Sequence, residues 1–375
     1  MDWTDNEALM LDQIERFAAE VMAPRAAELD ETSTFAACHL PALAELGLLG
    51  LNLGEAEGGV GLSGPALYRA VEIMAGACGS TASMLTAHYL ATDSLQIGAD
   101  EALKARFLPR AAAGALGAFA LTEPAAGSNP ADMRSTARRE GGGYRLRGSK
   151  CFISNAGAAE FIVVYAKTDP DAGARGISAF LVEPGVTPGV DIAPAERTMG
   201  LRGGHVFGIA FDCLVPEENR IGPEGSGFRT AMKVLDNGRI EVAAQATGIA
   251  AAALDAAAAY ARERQVAGHP IADFQGIQWM LADCANDLAA ARALGYAAAR
   301  LRGTGARYST ESAHAKLFAS EAAWRIADRA LQIHGGYGYC RDFPLERYLR
   351  DLRVFRIYEG SSEIQRTIIA RDLLR

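Results

Sequence analysis

The sequence lacks the features that mark several common classes of protein. Its six cysteines are scattered over 375 residues without a CxxC pair, which indicates neither a disulfide framework nor a cysteine zinc site. The HExxH motif of zinc hydrolases and the GxSxG motif of serine hydrolases are absent. No uninterrupted apolar run reaches the roughly 18–20 residues of a membrane span. We therefore predict a soluble, cytoplasmic protein with reduced thiols, no metal site and no membrane partner.

Positive charge is scarce as well. Lysine and arginine number 37 against 45 aspartates and glutamates, which gives a net charge of −8 and an isoelectric point near 5.4. This balance argues against a nucleic-acid partner. It leaves room for a local basic pocket that holds a polyanionic cofactor, because net charge is a sum over the whole surface. The acidic start MDWTDNEALM lacks the charged-then-apolar order of a secretory signal, so none is expected.

The first part of the chain has helical periodicity. Between Asp5 and Val21, apolar residues recur at helical spacing, and a glycine-rich break follows at 54–64. Further helices are predicted near 65–77, 81–96 and 100–113. This part is therefore expected to form an N-terminal helical domain over residues 1–116.

The middle of the chain has a different pattern. Short apolar runs at 161–168, 176–184 and 205–216 alternate with turn signals rich in glycine and proline. Strands with such short connectors indicate an antiparallel β-domain, here assigned to residues 117–225, rather than alternating β and α units. The string GYRLRGSK at 143–150 superficially resembles a phosphate-binding loop, but it lies between predicted strands and is rejected as one.

Alanine-rich helical patterns return after Phe228. The clearest cover 250–265, 280–302 and 313–333, so residues 226–375 are predicted to form a second helical domain. The predicted fold class is mainly α with a central β-domain. No strand–GxGxxG–helix unit occurs, which disfavours a classical dinucleotide fold.

Six segments together resemble the acyl-CoA dehydrogenase family of flavoproteins, in the same order and spacing across nearly the whole chain. They are FALTEPAAGSNP (119–130), GSKCFISNAG (148–157), MGLRGG (199–204), YARERQVAGHPI (260–271), QIHGGYGY (332–339) and IYEGSSEIQR (357–366). The resemblance implies a helical domain, a central antiparallel barrel-like or sandwich-like β-domain and a C-terminal four-helix bundle. It also implies FAD as cofactor, an acyl-CoA substrate and a homotetramer.

The first two segments carry the predicted flavin contacts of the β-domain. Small residues in TEPAAGSN allow backbone N–H groups to approach an anion, although such a loop taken alone is more often a plain surface turn. Phe152 is likewise open to a second interpretation as an ordinary core residue of a strand. The residues that the resemblance assigns to FAD here are Phe119, Leu121, Thr122, Gly127, Ser128, Phe152 and Ser154, with Ser128 also reaching the CoA chain.

A second group of predicted FAD contacts lies in the C-terminal domain. By resemblance these residues are Arg264, Gln275, Gln332, Gly335, Gly336, Ser361 and Glu363, and several of them would reach the FAD of a neighbouring subunit. Val266 and Ala267 replace the polar and aromatic residues usual at these positions. We therefore expect FAD to bind somewhat more weakly than is typical of the family.

The predicted base is Glu359, in the YEG triplet. Some family branches place the base directly before Arg239, but that position is Gly238 here and cannot serve. Glu241 lies about 200° around the helix from Arg239, on a different face. The resemblance also assigns substrate contacts to Asp236, Arg239, Gly360 and Ser128, although without the resemblance a solvated helix face would be the better explanation of the first two.

The residues that follow Glu359 in the segment IYEGSSEIQR have a structural interpretation. Ser362 and Gln365 have the spacing of a capping box that would open the last helix. Glu363 would then lie in the first turn, where the helix dipole favours a negative charge.

The implied reaction is FAD-dependent α,β-dehydrogenation of an acyl-CoA to the 2-enoyl-CoA, with electrons passed to an electron-transfer flavoprotein. No arginine occurs in 78–90, where relatives acting on dicarboxylic thioesters carry one, so a short or branched uncharged acyl group is expected. Three alternatives stay open: an acyl-CoA oxidase, an eliminating relative without net oxidation, and a non-catalytic acyl-thioester-binding protein.

Overall fold

The computed structural model describes residues 3–375, so the first two residues of the acidic N-terminal segment lie outside it. The predicted order of helical, β and helical regions is confirmed. Helices predicted near 65–77, 81–96 and 100–113 are present, with ends shifted by at most two residues. The helices of the first region are α1 (Asp5–Phe17), α2 (Ala26–Thr32), α3 (Leu40–Glu45), α4 (Gly64–Ala77), α5 (Gly79–Gly98) and α6 (Glu101–Ala112).

Helix α5 is buried on every face from Gly79 to Leu95. A helix surrounded in this way belongs to the centre of a domain rather than to its surface. Its polar residues find partners inside the protein: the Gly117 amide donates to His88 Nδ1 at 2.9 Å, and Tyr165 donates to Ser94 at 3.0 Å. The helix therefore joins the helical region to the β-domain.

The central region forms one eight-stranded sheet in the order β6-β7-β3-β2-β4-β5-β8, with β1 beside β4. Most neighbours are antiparallel, as predicted. The pairs β1–β4 and β2–β4 are parallel, and neither is joined by a tight hairpin, which would require antiparallel strands. The strands are β1 (Gly117–Ala120), β2 (Thr136–Glu140), β3 (Gly143–Ser154), β4 (Phe161–Lys167), β5 (Ile177–Val182), β6 (Val190–Ile192), β7 (Val206–Pro216) and β8 (Arg220–Ile221). GYRLRGSK lies within β3.

The C-terminal region is helical apart from a small hairpin. Its elements are α7 (Gly227–Glu263), β9 (Gln265–Val266), β10 (His269–Pro270), α8 (Gln275–Ala299), α9 (Ser309–His334), α10 (Leu345–Leu352) and α11 (Ser362–Leu373). Among the described residues, α7 alone is long and apolar enough to cross a membrane, and 61% of its most apolar window is buried inside the protein. It packs against α4, α5, α8 and α9, as the central helix of the bundle.

Candidate active site

The predicted base stands in a tight turn just before α11. Glu359 has φ +50° and Gly360 has φ +88°, so two successive residues adopt the left-handed conformation. Such a turn is costly for a residue with a side chain and needs support from its surroundings. Gln365 Nε2 donates to the carbonyl oxygens of Gly360 (2.8 Å) and Glu359 (3.3 Å), and Lys316 Nζ donates to Gly360 O at 2.7 Å.

The predicted capping box is wrong by one residue. Ser361 is the N-cap of α11, and its side chain accepts a hydrogen bond from the Ile364 amide. Gln365 does not reach back to the capping residue, because its amide bonds the two carbonyl oxygens of the left-handed turn instead. Ser362 donates to Glu321 at 2.7 Å. Glu363 does lie in the first helical turn, where hydrogen bonding to the backbone lowers its pKa.

The carboxylate of Glu359 faces α7 at Gly238. A Cβ placed on Gly238 would lie 3.1 Å from Glu359 Cδ, closer still to its Oε2, and 2.7 Å from Leu90 Cδ2. The absent side chain at 238 therefore leaves the space that the carboxylate occupies. Although Glu359 as a whole is only half-buried, its Oε2 atom is buried and has no hydrogen-bond partner in residues 3–375.

The surroundings of Glu359 set its proton affinity. Burial raises the pKa of Glu359 to about 7, against the lowering effects of Lys316 and then Arg239. Removal from water disfavours the charged carboxylate, while the two nearby cations favour it. A carboxyl group with a pKa near 7 is half-ionised at neutral pH and can serve there as a general base.

Arg239 and Asp236, the predicted substrate contacts, lie on the same stretch of α7 and pair with each other. Arg239 NH1 lies 2.6 Å from Asp236 Oδ1, and Ser309 donates to the other carboxylate oxygen at 2.6 Å. Arg239 is buried, and its Nε has no partner within the described part of the chain. The interpretation of a solvated helix face is therefore wrong for Arg239, and its role toward a substrate stays a prediction.

A buried ion pair supports the loop with the predicted flavin residues. Lys150 Nζ donates to Glu123 at 2.8 Å and to the Leu121 carbonyl at 3.0 Å, and Glu123 also accepts from two backbone amides. The Cys151 amide donates to the Thr122 carbonyl at 3.0 Å. Residues 121–123 are thus fixed against β3, with the Thr122 side chain partly accessible.

The end of β3 presents an aromatic ring at the surface. Phe152 is 66% exposed and has φ +57°, within a register shift between Lys150 and Ile153. A β-bulge of this kind turns a side chain that would otherwise point into the sheet. The interpretation of Phe152 as a core residue is therefore wrong. Ser154 lies two residues further along the strand, opposite Val206.

The remaining predicted flavin residues of the β-domain differ in accessibility. Phe119 lies in β1 and packs its ring against Tyr165, with centroids 5.1 Å apart. Gly127 and Ser128 are exposed, and a Cβ on Gly127 would meet nothing within 4 Å. The loop is thus open where a bound anion would need its backbone N–H groups.

The second predicted FAD group lies on the surface of the C-terminal region. Arg264 stacks over the ring of Tyr337 at 6.0 Å, which places it beside the loop that begins at Gly335. This loop follows α9, which ends at His334 as predicted. The members of the group that are exposed are Arg264, Gln275, Gln332, Gly335, Gly336 and Glu363, whereas Ser361 is half-buried.

The hairpin β9–β10 contains the two residues expected to weaken FAD binding. Ala267 and Gly268 form its two-residue turn, with φ +52° and +82°. Val266 is 50% exposed. The two replacements lie two and three residues after Arg264 in the chain. The expectation of weaker FAD binding stays a prediction.

Several residues that support the base and the flavin loop were missed by the sequence analysis. Lys316, beside the base, belongs to no motif, and Lys150, beneath the flavin loop, had no assigned role within GSKCFISNAG. Glu241 pairs with Arg302 at 2.7 Å, and Arg302 also holds Asp93 with two bonds of 3.0 and 3.1 Å. For Glu241 the sequence did offer a signal. Gly238 and Glu241 are three residues apart on α7, and residues with this spacing share a helix face, so Glu241 could have been placed on the side of α7 that faces the base.

The residues present fit an FAD cofactor. An exposed aromatic ring, nearby hydroxyl groups and an open glycine loop lie together on the β-domain, as an isoalloxazine ring and a pyrophosphate require. No cluster of three or more metal-ligating side chains occurs in residues 3–375. All six cysteines are free thiols.

Comparison with known proteins identifies the family. Three family models match in sequence: acyl-CoA dehydrogenase N-terminal domain (4–115), middle domain (118–213) and C-terminal domain (225–374). The chain is 44% identical to acryloyl-CoA reductase (NADH) of Anaerotignum propionicum, over 98% of this chain and 95% of that protein.

Solved structures agree with this result. Butyryl-CoA dehydrogenase from Megasphaera elsdenii superposes with a TM-score of 0.97 at 38% identity, covering 100% of both chains. A chain solved in work on the electron transferring flavoprotein of Acidaminococcus fermentans gives a TM-score of 0.98 at 40% identity, covering 100% of this chain and 99% of that one. The predicted family, fold class, enzyme class and cofactor are therefore confirmed: this chain belongs to the acyl-CoA dehydrogenase family of FAD-dependent oxidoreductases.

Proposed function

We propose that this protein dehydrogenates a short-chain acyl-CoA to its 2-enoyl-CoA, with Glu359 as the base that removes the α-proton. One observation carries the proposal. Glu359 Oε2 is buried, has no hydrogen-bond partner in residues 3–375 and is aimed at the face of α7 left open by Gly238. A carboxylate held in this way is ready to accept a proton from a bound thioester.

Other residues of the protein position the base and hold the flavin. The turn at Glu359–Gly360, held by Lys316 and Gln365, fixes the direction of the carboxylate, so that the α-carbon of the acyl group need only be placed beside it. A bound FAD would supply the acceptor for the β-hydrogen as a hydride. Phe152 and Thr122 would hold the flavin, and burial keeps the pKa of Glu359 at about 7, closer to that of the activated α-proton.

Two polar residues support a short acyl chain. Gln245 Nε2 donates to Thr86 Oγ1 at 2.9 Å, a buried bridge between α5 and α7. Gln245 lies seven residues beyond Gly238, or about 10 Å along the helix axis. An acyl chain that runs from Glu359 along α7 would be stopped by this bridge, which therefore sets an upper limit on the length of the chain. The similarity to a butyryl-CoA dehydrogenase agrees with this limit.

The electron acceptor and the direction of the reaction rest on the comparisons. We propose an electron-transfer flavoprotein as the acceptor, since a structural neighbour comes from work on such a protein. The second candidate is reduction of a short enoyl-CoA, because the relative at 44% identity is named acryloyl-CoA reductase. In that direction the protonated carboxyl group of Glu359 would act as a general acid that returns the proton to the α-carbon, and an external electron donor would supply the hydride through FAD.

We also propose a cytoplasmic homotetramer. Exposed apolar residues on the C-terminal region support an interface there, beside Arg264 and Gln275; they include Val266, Phe274, Trp279, Tyr337 and Tyr339. Free cysteines support a reducing compartment. Analytical ultracentrifugation of the FAD-bound protein and fractionation of cells test the two parts.

The function is tested by mixing the FAD-bound protein anaerobically with acyl-CoAs of four to sixteen carbons and following flavin absorbance. Butyryl-CoA is expected to bleach the flavin fastest. Glu359→Gln is expected to bind butyryl-CoA and leave the flavin oxidised. Bleaching by this variant at the wild-type rate would overturn the assignment of the base, and faster bleaching by long chains would overturn the proposed chain length.

A further inference from the structure

Lys316 is a buried cation whose only hydrogen-bond acceptor in residues 3–375 is a neutral backbone oxygen. Its side chain lies in the first third of α9 with no exposed surface, and Nζ donates to Gly360 O at 2.7 Å. No carboxylate within the described range lies within 4.0 Å of this ammonium group. Isolated burial of a charge is costly unless a partner compensates it.

The other buried lysine shows the usual solution. Lys150 is also buried, but its Nζ lies 2.8 Å from the carboxylate of Glu123. Lys316 has no such direct pair, and the ionisable group that stabilises its charge most is Glu359. The ammonium of Lys316 therefore lies beside the turn of the base rather than in an ion pair of its own.

Charged groups on the helices that pack around Lys316 and Glu359 act on the charges of both residues. Arg239 of α7 opposes the charge of Lys316, whereas Glu321 of α9 and Glu363 of α11 favour it. Glu241 of α7 interacts with Glu359 as a like charge. Of these groups, Lys316 has the largest lowering effect on the pKa of Glu359.

We propose that Lys316 is a positioning residue for the base, which holds the Gly360 carbonyl in the left-handed turn and stabilises the ionised carboxylate of Glu359. This inference rests on the proposed role of Glu359. The two effects act together: the hydrogen bond sets where the carboxylate points, and the positive charge keeps it deprotonated in a site that excludes water.

The proton affinities of the two groups agree with this role. Burial lowers the pKa of Lys316 to about 8 and raises the pKa of Glu359 to about 7. Between about pH 7 and about pH 8, the carboxyl group of Glu359 is mostly ionised while the ammonium group of Lys316 is mostly still charged. Loss of the positive charge should raise the pKa of Glu359, because an opposite charge nearby shifts a carboxyl pKa by about one unit or more.

Three substitutions separate charge from hydrogen bonding. Lys316→Arg keeps the charge, Lys316→Gln keeps a donor without the charge, and Lys316→Met removes both with a side chain of similar length. Each FAD-bound variant is mixed anaerobically with saturating butyryl-CoA between pH 5.5 and 9, and the rate of flavin bleaching is measured. We expect the pH at which the bleaching rate is half-maximal to rise by about one unit or more in Lys316→Gln and Lys316→Met. In Lys316→Arg this pH should stay near the wild-type value.

A second measurement does not depend on activity. Infrared difference spectra recorded during a pH titration show the carboxyl band of Glu359, identified by its absence in Glu359→Gln. The midpoint pH of this band's titration is expected to rise in Lys316→Met and Lys316→Gln by the same amount as the midpoint of the bleaching rate. Unchanged midpoints with only a uniform loss of rate would overturn the proposal and leave Lys316 a structural residue. If Glu359→Gln still bleached its flavin, the proposed base would be wrong, while the infrared titration would still test the coupling of Lys316 to Glu359.

Discussion

The open face of α7 at Gly238 predicts a substitution that damages catalysis much more than stability. In Gly238→Ala, the new methyl group would lie 3.1 Å from the carboxyl carbon of Glu359 and 2.7 Å from Leu90 Cδ2, whereas ordinary contacts begin at 3.4 Å. Leu90 must therefore move by 0.7 Å (3.4 − 2.7), and the closer carboxylate oxygen of Glu359 must move further.

The expected loss of activity follows from this displacement. A shift of about 1 Å in a reacting group lowers a rate by about 100-fold. The colliding atoms are the ends of flexible side chains, so the protein can relax at small cost. Alanine also favours a helix over glycine by about 0.5–1 kcal/mol, which offsets part of an overpacking cost of about 1–3 kcal/mol. The free energy of unfolding should therefore change by less than about 2 kcal/mol.

The assay is the anaerobic bleaching of the flavin by butyryl-CoA in a stopped-flow instrument, together with thermal denaturation. Gly276→Ala is the control for helix propensity, because it changes a glycine of α8 whose Cβ would meet nothing within 4 Å. That variant should melt at or above the wild-type temperature. A wild-type bleaching rate in Gly238→Ala would refute the placement of the Glu359 carboxylate against Gly238.

Three further predictions follow from the same region. In the wild-type protein, the bleaching rate should fall about tenfold per unit of pH below the pKa of Glu359, about 7, because only the carboxylate accepts a proton; a flat profile from pH 5.5 to 7 would contradict this. Arg302→Met should lower the free energy of unfolding by about 3–5 kcal/mol, because it leaves two buried carboxylates without their cation, whereas Arg325→Met at an exposed pair should cost less than about 1 kcal/mol in the same denaturant titration. Gln245→Ala should move the preferred acyl chain toward longer lengths, measured as the ratio of bleaching rates with octanoyl-CoA and butyryl-CoA, and an unchanged ratio would contradict the proposed limit.

The sequence predicted the helices and strands well where periodicity is local. The helices near 65–77 and 81–96 have the predicted positions because their apolar spacing continues through each helix. The parallel pairing of β1 with β4 was missed, since strand direction depends on how the chain returns to the sheet. Residues 117–120 and 161–164 carry no local signal of this arrangement.

The supports of the base were the least predictable part of the site. Gln365 has the spacing of a capping residue, yet its amide bonds two carbonyl oxygens upstream, because the left-handed turn presents them within reach. Lys316 lies in an alanine-rich helix whose charged residues would ordinarily face solvent. Its partner, Gly360, is 44 residues away in the chain, so only the folded structure brings the two together.

Helix α7 has a consequence for how the protein unfolds. Its residues from Asn237 to Ala250 are buried, and the helix packs on α4 and α5 of the first region as well as on α8 and α9. A fragment that begins near residue 226 would expose the apolar surface that α4 and α5 now cover, and the remaining fragment would lose the same contacts. The N-terminal and C-terminal helical regions are therefore not expected to unfold as separate cooperative units and should melt in one transition.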